Sequence, residues 1–278
     1  MINAMTIDLE PWYAPEILNK HLSQEKDDQI EEAVRPILDL LDKYNIRATF
    51  FVLGTVAERH PEVVGEIYKK GHEIASHAYS HKVLYELGER EFRVEIERSV
   101  KLLESITGEK PIGFRAPSFS INNSTKWAFK ILKDYGFKYD SSIFPIKTIL
   151  YGVPNAPLQP YRPSMEDLAL KDPDGGIIEF PMSVFRFGKR LPVAGGFYLR
   201  VLPLRFLKFA IARINETRPA IIYIHPWETY PQTLRLSNVP LSSRFITYYG
   251  INSALRKFEG LLEKFEFKPL REFLGGGY

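Results

Sequence analysis

The sequence contains no cysteine, so neither disulfides nor thiolate metal sites are available and any metal must be held by histidine and carboxylate. It also lacks an apolar run approaching the roughly 20 residues needed to span a bilayer. Its first residues, Met1-Ile2-Asn3-Ala4-Met5, carry no basic segment and long apolar stretch of the secretory kind, which makes the cytoplasm the expected location. There is little charge bias: 37 basic side chains stand against 34 acidic ones, net +3, interleaved as in residues 88 to 110. That pattern argues against nucleic acid as a partner. No segment is of low complexity. What is present is an ordinary globular composition, 45% hydrophobic and 26% charged. The length of 278 residues suits one α/β barrel domain, which typically runs to about 250 residues.

Short β-branched or aromatic runs alternate with segments of helical period, the pattern of a parallel sheet with crossover helices. The expected strands are residues 2 to 8, 46 to 53, 72 to 76, 112 to 116, 137 to 141, 177 to 181 and 219 to 224, enough for a distorted seven-stranded (β/α) barrel. Between them, residues 28 to 44 place Ile30, Val34, Ile37, Leu38 and Leu41 on one helical face, and Pro61 opens a helix that Gly71 closes. The clearest helix is 89 to 107, with Phe92, Ile96, Val100, Leu103 and Ile106 on one stripe and Gly108 after its end. Ser124 is the expected cap of the helix around Trp127, Phe129 and Leu132, and residues 202 to 216 and 251 to 265 supply two more. Pro/Gly clusters at 153 to 163 and 173 to 176 mark a long loop inside a single domain. Its core is expected over 1–230, with a helical extension over 231–278.

The polar residues able to do chemistry fall at the carboxyl ends of these strands, the face on which such barrels build active sites. Asp8 ends the first strand, His77 and His81 follow the third, Arg115 the fourth, Asp140 the fifth and His225 the seventh. The H-x-x-x-H spacing of His77 and His81 presents two imidazoles on one side of a helical turn, although two packing histidines read equally well from that pair alone. Asp8-Leu9-Glu10 adds two carboxylates. Together they form a His-His-carboxylate set with one carboxylate to spare, which is what metal-assisted hydrolysis requires. His225, just past its strand, is placed to act as a general acid. Trp12 and Trp227 follow strand ends and are candidates for stacking on sugar rings. His21, His60 and His72 have no partners in the pattern and are assigned to surface or packing.

In these strings the sequence resembles the polysaccharide deacetylase superfamily, the NodB homology domain of carbohydrate esterase family 4. The motifs are Thr6-Ile7-Asp8-Leu9-Glu10, His77 to His81, Arg115-Ala116-Pro117, Tyr139-Asp140-Ser141-Ser142 and Tyr223-Ile224-His225, in the family's order over about residues 1 to 230. Arg115 to Ser120 and His225-Pro226-Trp227-Glu228 are most similar to an exopolysaccharide-associated branch. His77-Ala78-Tyr79-Ser80-His81 is shared with a peptidoglycan-deacetylase and allantoinase-like branch.

The resemblance implies a NodB-like barrel in which Asp8 is the general base and Glu10, His77 and His81 hold a divalent metal, zinc first, with cobalt, manganese or nickel as alternatives. It implies that Arg115 pairs with Asp8, that Asp140 pairs with His225, and that the backbone N–H of Ser118 binds the oxyanion. Asp8-Leu9-Glu10 departs from the family's adjacent Asp-Asp, Ser118 stands where an aromatic is common, and Tyr223 replaces a leucine of the acetate pocket. The implied activity is N-deacetylation of an amino sugar in a polysaccharide or its precursor. A cyclic amide or ureide hydrolase acting on a small amide is the runner-up, and a non-catalytic carbohydrate-binding barrel is the alternative of a different class.

Overall fold

The computed structural model describes residues 1–22, 27–148 and 151–275. Seven parallel strands form its centre: β1 (Asn3–Leu9), β2 (Thr49–Val52), β3 (Glu73–Ser76), β4 (Gly113–Phe114), β5 (Tyr139–Asp140), β6 (Ile178–Glu179) and, after a separate hairpin of β7 (Val184–Phe187) with β8 (Lys189–Pro192), β9 (Ile221–Ile224). The spatial order is β9-β1-β2-β3-β4-β5-β6, so the first and last of the seven are neighbours and the sheet curls toward closure. Every residue of β1, β2, β3 and β9 is buried, which is why β2 and β9 read as near-continuous apolar runs instead of alternating ones.

Among the described residues no strand pair joins β6 to β9. The gap is bridged instead by the Ile221 N–H donating to Ser183 Oγ at 2.7 Å and by Arg218 donating to the Val184 carbonyl at 2.8 Å. The barrel is therefore the distorted, incomplete one expected from seven strands.

The helices cover the outside: α1 (Glu16–Asn19), α2 (Ile30–Lys43), α3 (Gly54–Arg59), α4 (Pro61–Lys69), α5 (Glu89–Thr107), α6 (Ala128–Asp134), α7 (Gly196–Val201), α8 (Leu204–Ile214), α9 (Leu241–Tyr248) and α10 (Ile251–Leu262). The expected apolar stripes are the ones buried, Ile30, Val34, Ile37, Leu38 and Leu41 on α2 and Phe92, Ile96, Val100 and Leu103 on α5. Gly108 closes α5 in the left-handed conformation at φ 78°. None of the helices in the described residues is long and apolar enough to cross a membrane.

Two local expectations are corrected, and one element was not expected. Ser124 does not cap α6; its N–H and hydroxyl both donate to Asn122 Oδ1, in a turn that ends before the helix begins. The segment after residue 230 is not purely helical, because β10 (Phe267–Lys268) pairs in parallel with Asn3 and Ala4 of β1. The β7–β8 hairpin had no counterpart in the sequence reading, since its outer half is exposed and charged and leaves no apolar run to detect.

Candidate active site

The site lies at the carboxyl ends of β1, β3, β4 and β9. Strand β1 delivers Asp8, and Glu10 follows one residue beyond its end; both are buried, at 2% exposure. Arg115, immediately after β4, is fully buried and donates to Asp8 Oδ1 at 2.5 Å and to Thr6 Oγ1 at 2.9 Å. Its other nitrogens donate to the Ser141 carbonyl and hydroxyl at 2.9 and 3.0 Å, and its guanidinium lies 4.2 Å from the centre of the Phe51 ring. The guanidinium is thus fixed on every side, and with it the Asp8 carboxylate.

His77 and His81 converge on Glu10, but not by a helical turn. The segment from 77 to 81 is a loop with Ala78 and His81 in the left-handed region, at φ 59° and 62°. Glu95 of α5 holds that loop: its Oε2 accepts from the backbone N–H of Tyr79 and Ser80 at 3.0 and 2.7 Å, while Oε1 accepts from the Ser80 hydroxyl at 2.8 Å. Four of the six non-glycine residues with positive φ among the described residues, Ala78, His81, Ser118 and Phe119, belong to the two loops beside the site. Backbone strain of this kind concentrates where a precise side-chain arrangement is being enforced.

The Arg115 carbonyl can only accept, so His77 Nδ1, 2.7 Å away, carries a hydrogen and leaves the Nε2 lone pair facing Glu10 Oε2 at 3.5 Å. His81 Nε2 is 2.7 Å from the same oxygen. Yet Glu10 Oε2 is buried without an aligned hydrogen-bond donor. One donor atom from each of Glu10, His77 and His81 lies within 4.8 Å of the others. Two imidazole nitrogens and a carboxylate oxygen facing one another, with one of them orphaned, fit a divalent cation. Burial works to raise the Glu10 pKa, but the charges of His81 and His225, with the His77 and His81 rings close beside it, outweigh it and hold the carboxyl well below its usual range.

His225 follows β9 and completes the group. Its Nε2 faces Glu10 Oε1 at 3.5 Å and Asp8 Oδ2 at 3.8 Å. Its Nδ1 is 2.7 Å from Glu228 Oε2. Burial disfavours the imidazolium, but Glu10, Glu228 and Asp8 together push its pKa up to about 9.

Asp140 does not meet His225, contrary to the pairing implied by the family resemblance. Its two oxygens accept from the Ser142 hydroxyl and N–H at 2.6 and 3.1 Å, and its strand neighbour is Glu179. Burial, together with the Asp140 charge, raises Glu179 well above the carboxylate range, and burial raises Asp140 as well. This acid pair, through Ser142 Oγ and the Ala116 N–H at 2.7 Å, braces the segment after Arg115.

The two tryptophans are also reassigned. Trp12 is 1% exposed, donates to the Asp27 carbonyl at 2.9 Å and packs in a cluster with Leu18, Trp227, Val239, Tyr248 and Ile251. Trp227 is 5% exposed and stacks on the His225 ring, 5.4 Å between centres and 16° between planes. Neither offers a free face to a sugar. Ser118 lies half-buried with φ 51°, its hydroxyl 2.8 Å from both carboxylate oxygens of Glu16. Glu228, Arg200 and Glu95 carry no assigned role in the sequence; Glu228 ends the His225-Pro226-Trp227-Glu228 string and Arg200 the string from Gly195, while Glu95 leaves no mark.

Residues 19–139 match the family described as Polysaccharide deacetylase, and residues 141–275 match a Domain of unknown function (DUF3473). It is over residues 19–139 that the chain is similar to the polysaccharide deacetylase superfamily. Superfamily relatives include a peptidoglycan-N-acetylglucosamine deacetylase of Bacillus cereus, 41% identical over 93 residues, which are 33% of this chain and 34% of that protein. A peptidoglycan deacetylase of Helicobacter pylori is 33% identical over 113 residues, 41% of this chain and 38% of that protein. The chain thus spans about a third of the length of these curated relatives. At the level of fold it is similar to a solved polysaccharide deacetylase of Mycobacterium smegmatis (TM-score 0.60, 21% identity, 98% of this chain and 88% of that one). It is similar as well to the Puue allantoinase (TM-score 0.62, 17% identity, 98% and 88%). The boundary between the two matched families falls at β5, inside one continuous sheet.

Proposed function

We propose that this chain hydrolyses the amide of an N-acetylated amino sugar, in a polysaccharide or its precursor, with zinc as the bound cation. The observation that carries the reading is the convergence of Asp8, held by Arg115, with the Glu10, His77 and His81 donor set and His225 at one end of the sheet. The named deacetylase activities of the relatives support the choice of amide.

Bound to Glu10, His77 and His81, the cation would supply Lewis acidity toward a carbonyl oxygen and an attacking water. The chain's own groups do the rest. Asp8, kept in place by Arg115, takes the proton of the attacking water. His225 Nε2, across the site, gives a proton to the departing nitrogen. The backbone N–H of Ser118, in the left-handed pair Ser118–Phe119, is the proposed donor to the developing oxyanion. With Asp8, Glu10 and His77 nearly inaccessible, the reacting amide is shielded from bulk water, which strengthens each of these charge interactions.

The test is acetate release from chitooligosaccharides by the zinc-loaded protein, run beside ring-opening assays on allantoin and cyclic imides. Acetate release that disappears on chelation and returns with zinc supports the reading. Ring opening without acetate release replaces it with the cyclic amide alternative, and absence of both with absence of bound metal leaves a non-catalytic barrel.

A further inference from the structure

In the described structure, the histidine taken as the acid is oriented by a carboxylate three residues downstream. Within the turn Pro226–Glu228 the Glu228 side chain folds back, so that Oε2 accepts from both the His225 backbone N–H at 3.2 Å and the ring Nδ1 at 2.7 Å. Glu228 is 2% exposed. Its other oxygen accepts from Arg200 Nε and a terminal nitrogen at 3.1 and 3.0 Å. Arg200, equally buried, also donates to the carbonyls of Tyr249 and Ile246, both at 2.7 Å. The start of α7 is shaped around this pair, since a Cβ at Gly196 would collide with the Glu228 carboxylate.

We propose that Glu228, seated by Arg200, is the positioning residue that fixes the tautomer and direction of His225, in the place the family resemblance gives to Asp140. All parts of the relay, His225, Glu228, Arg200 and the carbonyls of 246 and 249, lie in residues 141–275, the stretch matching a family of unknown function. One role of that stretch is therefore to orient the acid for a site whose base and metal donors come mainly from the other half of the chain. The inference rests on the proposed function for His225's role, but the orientation itself is geometric. A carboxylate on Nδ1 holds the hydrogen there and leaves Nε2 aimed at Asp8 and Glu10; without it the imidazole can rotate or take the wrong tautomer.

Two measurements separate the outcomes. In the zinc-loaded protein, Glu228→Gln is compared with wild type on a chitooligosaccharide, whose amine must be protonated as it leaves, and on 4-nitrophenyl acetate, whose phenolate leaves unaided. The expected result is a fall in the amide-to-ester ratio of kcat of at least about tenfold, the scale of lost acid catalysis, with little change in KM. An equal loss on both substrates, or a selective amide loss in Asp140→Asn instead, overturns the proposal. Because Glu228→Gln leaves the Arg200 charge buried, the double variant Glu228→Gln with Arg200→Met is carried in parallel to keep the fold accessible.

The second measurement needs no turnover. In wild type labelled with ¹⁵N-histidine, with His225 assigned through His225→Gln, a downfield proton on Nδ1 that vanishes in Glu228→Gln, or in the double variant where the single one does not fold, supports the relay. Its persistence, or a hydrogen on Nε2 alone, overturns it. If wild type hydrolyses neither substrate, the proposed function fails while this spectrum still decides the positioning claim.

Discussion

Arg115 donates to Asp8 at 2.5 Å in a pocket where both side chains are sealed from solvent. Removing the cation alone strands a buried carboxylate, and breaking such a pair costs about 3–5 kcal/mol. Arg115→Met is therefore expected to lower the urea midpoint sharply. Asp8→Asn leaves the Arg115 charge buried but keeps a hydrogen bond to it, so it is expected to fold at reduced stability while losing at least about 100-fold in activity as the carboxylate is lost. An Asp8→Asn protein with full activity is incompatible with the mechanism.

Glu95 reaches none of the metal donors, yet three hydrogen bonds from the Tyr79–Ser80 turn end on it. Glu95→Ala removes the acceptor on which both backbone N–H groups and the Ser80 hydroxyl converge. Zinc affinity should fall about 10- to 100-fold, as for other groups that support ligands from behind. Titration calorimetry with zinc measures it, and unchanged affinity would show that the loop holds its shape without α5.

Trp12 is a packing residue, so Trp12→Phe should act on stability and not on substrate. Loss of ring volume and of the bond to the Asp27 carbonyl is expected to cost on the order of 1–2 kcal/mol. KM should not move; a rise in KM at unchanged melting temperature would return Trp12 to the substrate site.

His72 gives the fold an acid limit. It is 1% exposed, its Nδ1 accepts from the Ala48 N–H at 3.2 Å, and burial followed by the Arg47 charge drives its pKa down to about 4. The unfolded chain binds a proton at its ordinary pKa of about 6.5, whereas the folded chain binds one only near 4. Stability is therefore complete above about pH 6.5 and declines as pH falls toward 4, by up to about 3 kcal/mol. Denaturant midpoints across that range should show a shallower decline in His72→Gln.

The central strands were legible because a strand buried on both faces is written as an uninterrupted apolar run, of which Ile221-Ile222-Tyr223-Ile224 is the clearest. The positions of Asp8, Glu10, His77, His81, Arg115 and His225 were legible for the same reason, as polar residues interrupting such runs at their ends. Other features leave no such mark. An aromatic ring after a strand is written the same way whether it is sealed like Trp12 or open to a ligand. The His77–His81 spacing suggests a helix, but the segment is a loop tied at Tyr79 and Ser80 to Glu95, which is distant in sequence. The partner of His225 could not be chosen between Asp140 and Glu228 without knowing that β5 turns its carboxylate toward Glu179.

Strand β1 is paired along one edge by residues 49–52 and 267–268 and along the other by 221–224. On the ribosome, the ribbon bearing Asp8 and Glu10 therefore emerges long before half of its hydrogen-bonding partners exist. A chain terminated ahead of β9 would leave that apolar edge bare, open to any other strand in the vicinity. Protection from aggregation and the gathering of His225 with Asp8 and Glu10 thus arrive in the same late event of synthesis.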